Sequence, residues 1–173
     1  MKVIVLGAGV VGTTAAWFLT KAGHEVSVIE RQPAAGLETS FANGGQISVS
    51  HAEPWAHPGA PLKVFRWMFR EDAPLLFRPR LDPRQWLWCL EFLRECTPLR
   101  TRHNIRQLVN LGLYSRGLLR ELRAETGIDY DHLERGILHF YTSQQAFDAA
   151  QEPARIMREY GCELDMKTPE ECV

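Results

Sequence analysis

The sequence has little cysteine and no long apolar run beyond its first twenty residues, and each shortage excludes something. Its four cysteines, Cys89, Cys96, Cys162 and Cys172, show neither C-x-x-C spacing nor a dense framework. They argue against a disulfide-stapled fold and a zinc site, and read as reduced thiols in a cytosolic setting. The uncharged stretch from Val3 to Thr20 is the one candidate for a signal or a membrane span. Glycines at 7, 9 and 12 would each weaken such a helix by about 1 kcal/mol. Thr13, Thr14 and Thr20 interrupt it, and no small-residue cleavage pattern precedes Lys21 and Glu25. The chain therefore reads as soluble or peripheral. Net charge is nearly absent as well, at −1 over 173 residues that are 45% hydrophobic, the composition of a globular chain with one ordinary core. The balance hides a segregation: residues 61–123 carry +7 and residues 124–173 carry −7.

What is present begins at once. Val3, Ile4, Val5 and Leu6 form a strand-like run into Gly7-Ala8-Gly9-Val10-Val11-Gly12, and a second run, residues 26–29, ends at Glu30. Each part has a task in holding a dinucleotide. Gly7 permits a tight turn, Gly9 lets a pyrophosphate approach the backbone, and Gly12 lets the following helix pack against the strand. The helix start aims unpaired N–H groups and a positive dipole end at the phosphates. Glu30 sits where an acid accepts hydrogen bonds from a ribose hydroxyl pair. A lone G-x-G-x-x-G is a weak signal, but strand, turn, helix, strand and terminal acid within about thirty residues make a strong one.

The helix after Gly12 spans residues 13–21, with Gly23 as its stop. From 31 to 61, glycines and prolines forbid a long regular element, and a loop of that length inside a compact domain is usually functional. Helices follow at about 62–69, from Asp82 as cap and Pro83 as first residue to about 96, and at about 102–125, the last ended by Gly127. Residues 136–141 alternate as a strand, Ser143 caps a helix to Tyr160 with Gly161 as its stop, and 162–166 is a second strand candidate. Thr168-Pro169-Glu170-Glu171 is a capping box with almost no chain behind it, and only two strands of a parallel set can be placed. Both suggest the N-terminal fragment of a longer protein. The expected architecture is α/β: residues 1–60 as the Rossmann-like βαβ start of a doubly wound sheet with a glycine-rich loop, and residues 61–173 as a partial helical and α+β substrate or cap region.

The loop after Glu30 discriminates among ligands. Glu38-Thr39-Ser40-Phe41-Ala42-Asn43-Gly44-Gly45-Gln46-Ile47-Ser48 combines small residues, hydroxyls, an amide and paired glycines. Such a segment lets backbone press against a large flat ligand while offering N–H donors. With the opening V-I-V-L-G-A-G-V-V-G, the Glu30-Arg31 pair, the segment A-E-P-W-A-x-P-G-x-P-L-K and the run ending at Thr126, it resembles the bacterial D-amino acid dehydrogenase small-subunit family. That family sits in the flavoenzyme group that also holds D-amino acid oxidase, glycine oxidase and sarcosine oxidase. The family pattern commonly has alanine where this chain has Gly44, and its members are more than twice as long.

The resemblance implies tightly held FAD and oxidation of D-amino acids such as D-alanine to 2-oxo acid and ammonia. Hydride would pass to flavin N5, and electrons onward to a respiratory acceptor such as a quinone. It places the pyrophosphate on Gly7, Gly9 and Gly12, the adenosine half on Glu30 and Arg31, and the ribityl and ring side on Thr39, Ser40, Ala42, Asn43, Gly45, Gln46 and Ile47. Catalytic and carboxylate-gripping residues are not assignable here, and the fragment alone is expected to be inactive. An NAD(P)-linked dehydrogenase is disfavoured by the loop and, for NADP, by Glu30 repelling a 2′-phosphate; a nucleotide-sensing domain is a third class. His51 and His57 flank Trp55, and imidazole is a common acid–base group in catalysis, but partnerless loop histidines usually read as solvated. Residues 65–88 interleave Phe65, Trp67, Met68, Phe69, Leu75, Leu76, Phe77, Trp86 and Trp88 with Arg66, Arg70, Arg78, Arg80 and Arg84. That mixture suits either peripheral contact with the inner face of the plasma membrane, where a quinone would be met, or ordinary helix packing. No nucleic-acid module surrounds it, so no nucleic acid is expected.

Overall fold

The computed structural model describes residues 1–68, 72 and 77–172. It divides into two units, Met1–Gln46 and Ile47–Val173.

The first unit is the βαβ crossover that the glycine turn demands. Strand β1, Lys2–Leu6, pairs in parallel with β2, Glu25–Ile29, in a register running from Lys2 opposite Glu25 to Leu6 opposite Ile29. Between them runs helix α1, Val10–Lys21. Its end is fixed by Gly23 at φ 84°, with the His24 amide donating back to the Leu19 carbonyl. Val5 lies under α1, since a Cβ on Gly12 would sit 3.4 Å from its Cγ1. Ile4 and Leu6 point to the other face and remain exposed, whereas parallel sheets are as a rule covered on both faces.

Among the described residues the second unit is helical: α2 (Ala60–Trp67), α3 (Pro83–Glu95), α4 (Pro98–Thr126) and α5 (Gln144–Glu159), with a 3₁₀ turn at Pro169–Cys172. The Asp82 and Ser143 caps form as the sequence predicts, accepting from the Arg84 and Ala146 amides. Helix α4 starts four residues earlier than its apolar spacing suggests, because Thr97 caps it and Pro98 takes the first helical position. It ends at Gly127, φ 63°. The predicted end of α2 at Phe69 lies outside the described residues. Ile105 and Val109 of α4 and Ile156 and Met157 of α5 form the buried centre with Cys162, and the loop residues Val49 and Ala52 seat into it. Val49 rests on Gly112, where an added Cβ would come within 3.4 Å of Val49 Cγ1. Residues 49 and 52 thus belong to the second of the two units.

The two strands expected at 136–141 and 162–166 are not formed, and the elements described in this unit are helical. Alternation supplies a face but not a neighbour, and a strand needs a second strand to take up its N–H and C=O groups. Here the alternation serves seating instead. Cys162 and Leu164 lie against the helical core, His139 reaches Ser50 at 3.1 Å, and Tyr141 meets Phe147 edge to face.

The charge segregation is used internally. Arg102 of α4 pairs with Glu159, Arg120 and Arg123 share Glu134, and Arg116 approaches Glu163 at 4.0 Å. The basic helix thus meets the acidic segment that follows it. Among the described residues no helix is long and apolar enough to cross a membrane.

Candidate functional site

The first unit contains a cleft of about 530 Å³ lined by Leu6, Gly7 and Gly9, by Ile29, Glu30 and Arg31, and by residues 36–40. Three glycines shape it, each for a separate reason. Gly7 turns at φ 95°, which a side chain rarely tolerates. A Cβ on Gly9 would stand 3.1 Å from Ser40 Oγ. One on Gly12 would stand 1.9 Å from the Gly7 carbonyl oxygen, so helix and turn can pack only if position 12 is glycine.

The start of α1 faces this turn, and its first-turn amides have no partner within the helix. The Val10 amide donates to Ser40 Oγ at 2.9 Å, so a neutral hydroxyl oxygen sits where an anion's oxygen would be received. Gly36 tethers the far wall, its amide donating to the Ala8 carbonyl at 2.9 Å. Glu30 faces the same turn from the end of β2. Its carboxylate accepts from the Ala8 amide at 2.6 Å and from the Gln32 amide at 2.9 Å. Those two amides, Ala8 first, hold its carboxyl below the usual carboxylate range.

Arg31 and Glu38 close the side of the cleft. Arg31 donates through Nε and Nη2 to the two Glu38 oxygens at 2.7 and 2.6 Å, and Gln32 Nε2 adds a third bond at 2.9 Å. The guanidinium first, then the Gln32 amide, hold the Glu38 carboxyl down at about 2. The clamp is therefore complete at neutral pH, and it loosens only as pH falls below the ordinary carboxylate range towards about 2.

Of the residues expected to contact the cofactor, the structure gathers Leu6, Gly7, Gly9, Glu30, Arg31, Thr39 and Ser40 around one cleft. Ala8, Val10, Val11 and Gly12 form the turn and the first helical residues beside it. Val3, Ile4 and Val5 build the strand beneath. Asn43 organises its own loop: its side-chain amide donates to the Thr39 and Ser40 carbonyls and its oxygen accepts from the amide of Gly45, which stands at φ 62°. Ala42, Asn43, Gly45 and Gln46 do not line the cleft, and Ile47 belongs to the second unit. Sequence reasoning missed Gly36, Leu37 and Glu38 as cleft residues. The readable signal was an acid seven positions after Arg31, across a glycine.

The histidines are not partnerless. His51 stacks on His139 with ring centroids 6.0 Å apart, and His57 Nδ1 accepts from the Gly59 amide at 3.2 Å. Both serve local structure of the second unit.

These features fit an adenine dinucleotide: a glycine cradle that added Cβ atoms would fill, helix-start amides for a diphosphate, that of Val10 held by the Ser40 hydroxyl, and a carboxylate at the second strand end for ribose hydroxyls. The family described as FAD dependent oxidoreductase matches residues 2–173. A D-amino acid dehydrogenase of Dechloromonas aromatica is 60% identical over 173 residues, covering all of this chain and 41% of that protein. Those of Paramagnetospirillum magneticum and Agrobacterium fabrum are 56% and 46% identical, each over 99% of this chain and 41% of theirs. The chain thus spans about two fifths of the length of the curated relatives it matches. No solved structure matches it. From residue 2 to its end, the chain belongs to the FAD dependent oxidoreductase family.

Proposed function

We propose that the intact protein is an FAD-dependent D-amino acid dehydrogenase, converting D-alanine-like substrates and water to 2-oxo acid and ammonia and passing two electrons to a respiratory acceptor such as a quinone. The observation that carries this reading is 60% identity, across all 173 residues, to a relative bearing that name. Bound FAD would supply the two-electron acceptor for the substrate α-hydrogen and its electron pair. The contribution of this chain is to hold and orient. The first-turn amides of α1, including those of Val11 and Gly12, receive the diphosphate; Glu30 accepts from ribose hydroxyls while keeping its bonds to Ala8 and Gln32, since a carboxylate has about four acceptor sites. The loop that begins with Thr39 and Ser40 at the cleft would cover the ribityl and ring side. A glycine or sarcosine oxidase-like reaction would use the same cleft, and substrate comparison separates the two.

The test uses the full-length protein. We expect a yellow preparation with a flavin visible spectrum that bleaches anaerobically with D-alanine but not with L-alanine, glycine or sarcosine, and turns over with dye in preference to oxygen. A colourless protein that takes up no FAD would reject the cofactor assignment. Bleaching by sarcosine or glycine alone would reject the substrate.

Membrane contact is the second part of the proposal, and α3 supports it. Trp86, Leu87, Leu90 and Leu93 recur at three-and-four spacing and are 48–61% exposed, an apolar face turned outward. Arg78, Arg80, Arg84 and Arg94 are exposed around it, and Trp86 is pinned by its indole N–H to the Arg80 carbonyl at 2.9 Å. Apolar face, tryptophan and arginine rim suit an anionic lipid surface on the cytoplasmic side. Phe69, Arg70, Leu75 and Leu76 of the same segment lie outside the described residues. Each leucine buried contributes about 1.5–3 kcal/mol, so changing both Leu87 and Leu90 to serine should lower binding of the full-length protein to phosphatidylglycerol vesicles by more than about tenfold. Equal binding of parent and variant, or equal binding to neutral vesicles, would remove α3 from the reading.

A further inference from the structure

Arg31 follows directly on the ribose-reading Glu30, at the end of β2, and is the one cationic side chain lining the cleft among the described residues. A free guanidinium at that place would be a ready partner for a phosphorylated ribose, because its fork matches phosphate oxygens two at a time. In the structure the fork is already used. Its Nε and Nη2 both donate to Glu38, at 2.7 and 2.6 Å, and Gln32 braces the same carboxylate from a third direction. The pair is not buried, with the arginine side chain 78% exposed and the glutamate 44%, so the contact is set by geometry around the loop and not by exclusion from water. With Glu30 and Glu38 on either side of Arg31, the cleft wall carries a net negative charge.

We infer that Glu38 is a specificity-determining residue: by occupying the Arg31 fork it withholds the cleft's cation, so the site takes an adenine nucleotide with free ribose hydroxyls and rejects one phosphorylated on the ribose. The inference rests on the adenine-dinucleotide reading of the cleft and adds to it a role for Glu38, which acts through Arg31. The selectivity is built from two layers. Glu30 repels a 2′-phosphate directly, and Glu38 removes the compensating charge that would offset that repulsion. Selectivity of this kind works by rejecting the wrong ligand, not by binding the right one more tightly.

The experiment measures competition with FAD for the flavin-free full-length protein, read as quenching of FAD fluorescence, using ADP and ADP carrying a 2′-phosphate. In the parent, ADP competes and its 2′-phosphate form competes at least about tenfold less well. Glu38→Gln should narrow that gap by about tenfold or more while moving the ADP value by less than about threefold, and adding Arg31→Met should restore the gap. Arg31→Met alone, with Glu38 intact and now uncompensated, should leave the gap as wide as in the parent or widen it, since the fork was never available and the bare carboxylate adds repulsion. An unchanged gap in Glu38→Gln, a gain that survives Arg31→Met, or a narrowed gap in Arg31→Met alone would each overturn the inference. The last of these holds even if Glu38→Gln does not fold. Failure of ADP to compete in the parent would instead reject the cleft assignment on which the inference stands.

Discussion

Gly12→Ala in the full-length protein is expected to abolish flavin retention, with the purified variant colourless and its FAD titration flat. The added methyl would lie 1.9 Å from the Gly7 carbonyl oxygen and 3.0 Å from its carbon, both backbone atoms of a turn held at φ 95°. Neither can move aside as a side chain would. Core insertions of one methyl cost about 1–3 kcal/mol when neighbours can adjust, and this site lies at or above the top of that range. The relief available is displacement of α1 from the turn, which removes the first-turn amides from the diphosphate position. Gly9→Ala is the informative contrast. Its Cβ would meet only Ser40 Oγ, at 3.1 Å, and a hydroxyl can rotate away, so that variant should fold and bind more weakly. A coloured Gly12→Ala protein with parental FAD affinity would show that helix and turn do not pack as described.

The second large effect is expected in the helical unit. Ile105 is 1% exposed and lies in the buried cluster with Val109, Ile156, Met157 and the loop residue Val49. Ile105→Ala should destabilise the unit by about 2–5 kcal/mol, read as a lowered midpoint in chemical denaturation. Leu111→Ala on the same helix, at a position 64% exposed, should change stability by no more than about 0.5 kcal/mol and leave the midpoint nearly unmoved. Equal effects from the two substitutions would mean that α4 packs by another face.

What the sequence carried legibly was local. The glycine turn, the strand on each side of it and the Asp82, Ser143 and Gly127 boundaries depend on residues within a few positions of one another, and all are found where the residue types require them. Half of the capping box at Thr168 forms: Glu171 Oε2 accepts from the Thr168 amide at 2.8 Å, over a 3₁₀ turn in which the Glu171 amide donates to the Thr168 carbonyl. What was not legible depended on partners distant in the chain. Residues 136–141 have a strand's alternation, but whether another segment runs beside them is not written in those six residues. Val49 and Ala52 read as a proline-rich loop, yet they are core because α4 presents Gly112 and Val109 to them. The cleft divides in the same way. Gly7, Gly9, Gly12 and Glu30 were readable from spacing, while Glu38 stood in the sequence only as an acid seven positions after Arg31, and its bidentate pairing depends on how the loop between them closes.

The bond from the Ala8 amide to the Glu30 carboxylate makes the two elements of the proposed cofactor site mechanically one. A change of preference at the sugar is ordinarily sought by replacing the acid at the second strand end. Here that acid also fastens the glycine turn, so Glu30→Ala would alter sugar preference and loosen the diphosphate cradle together. Redesign toward a different cofactor would therefore have to begin at Glu38 or Arg31, whose side chains can be exchanged without releasing the turn.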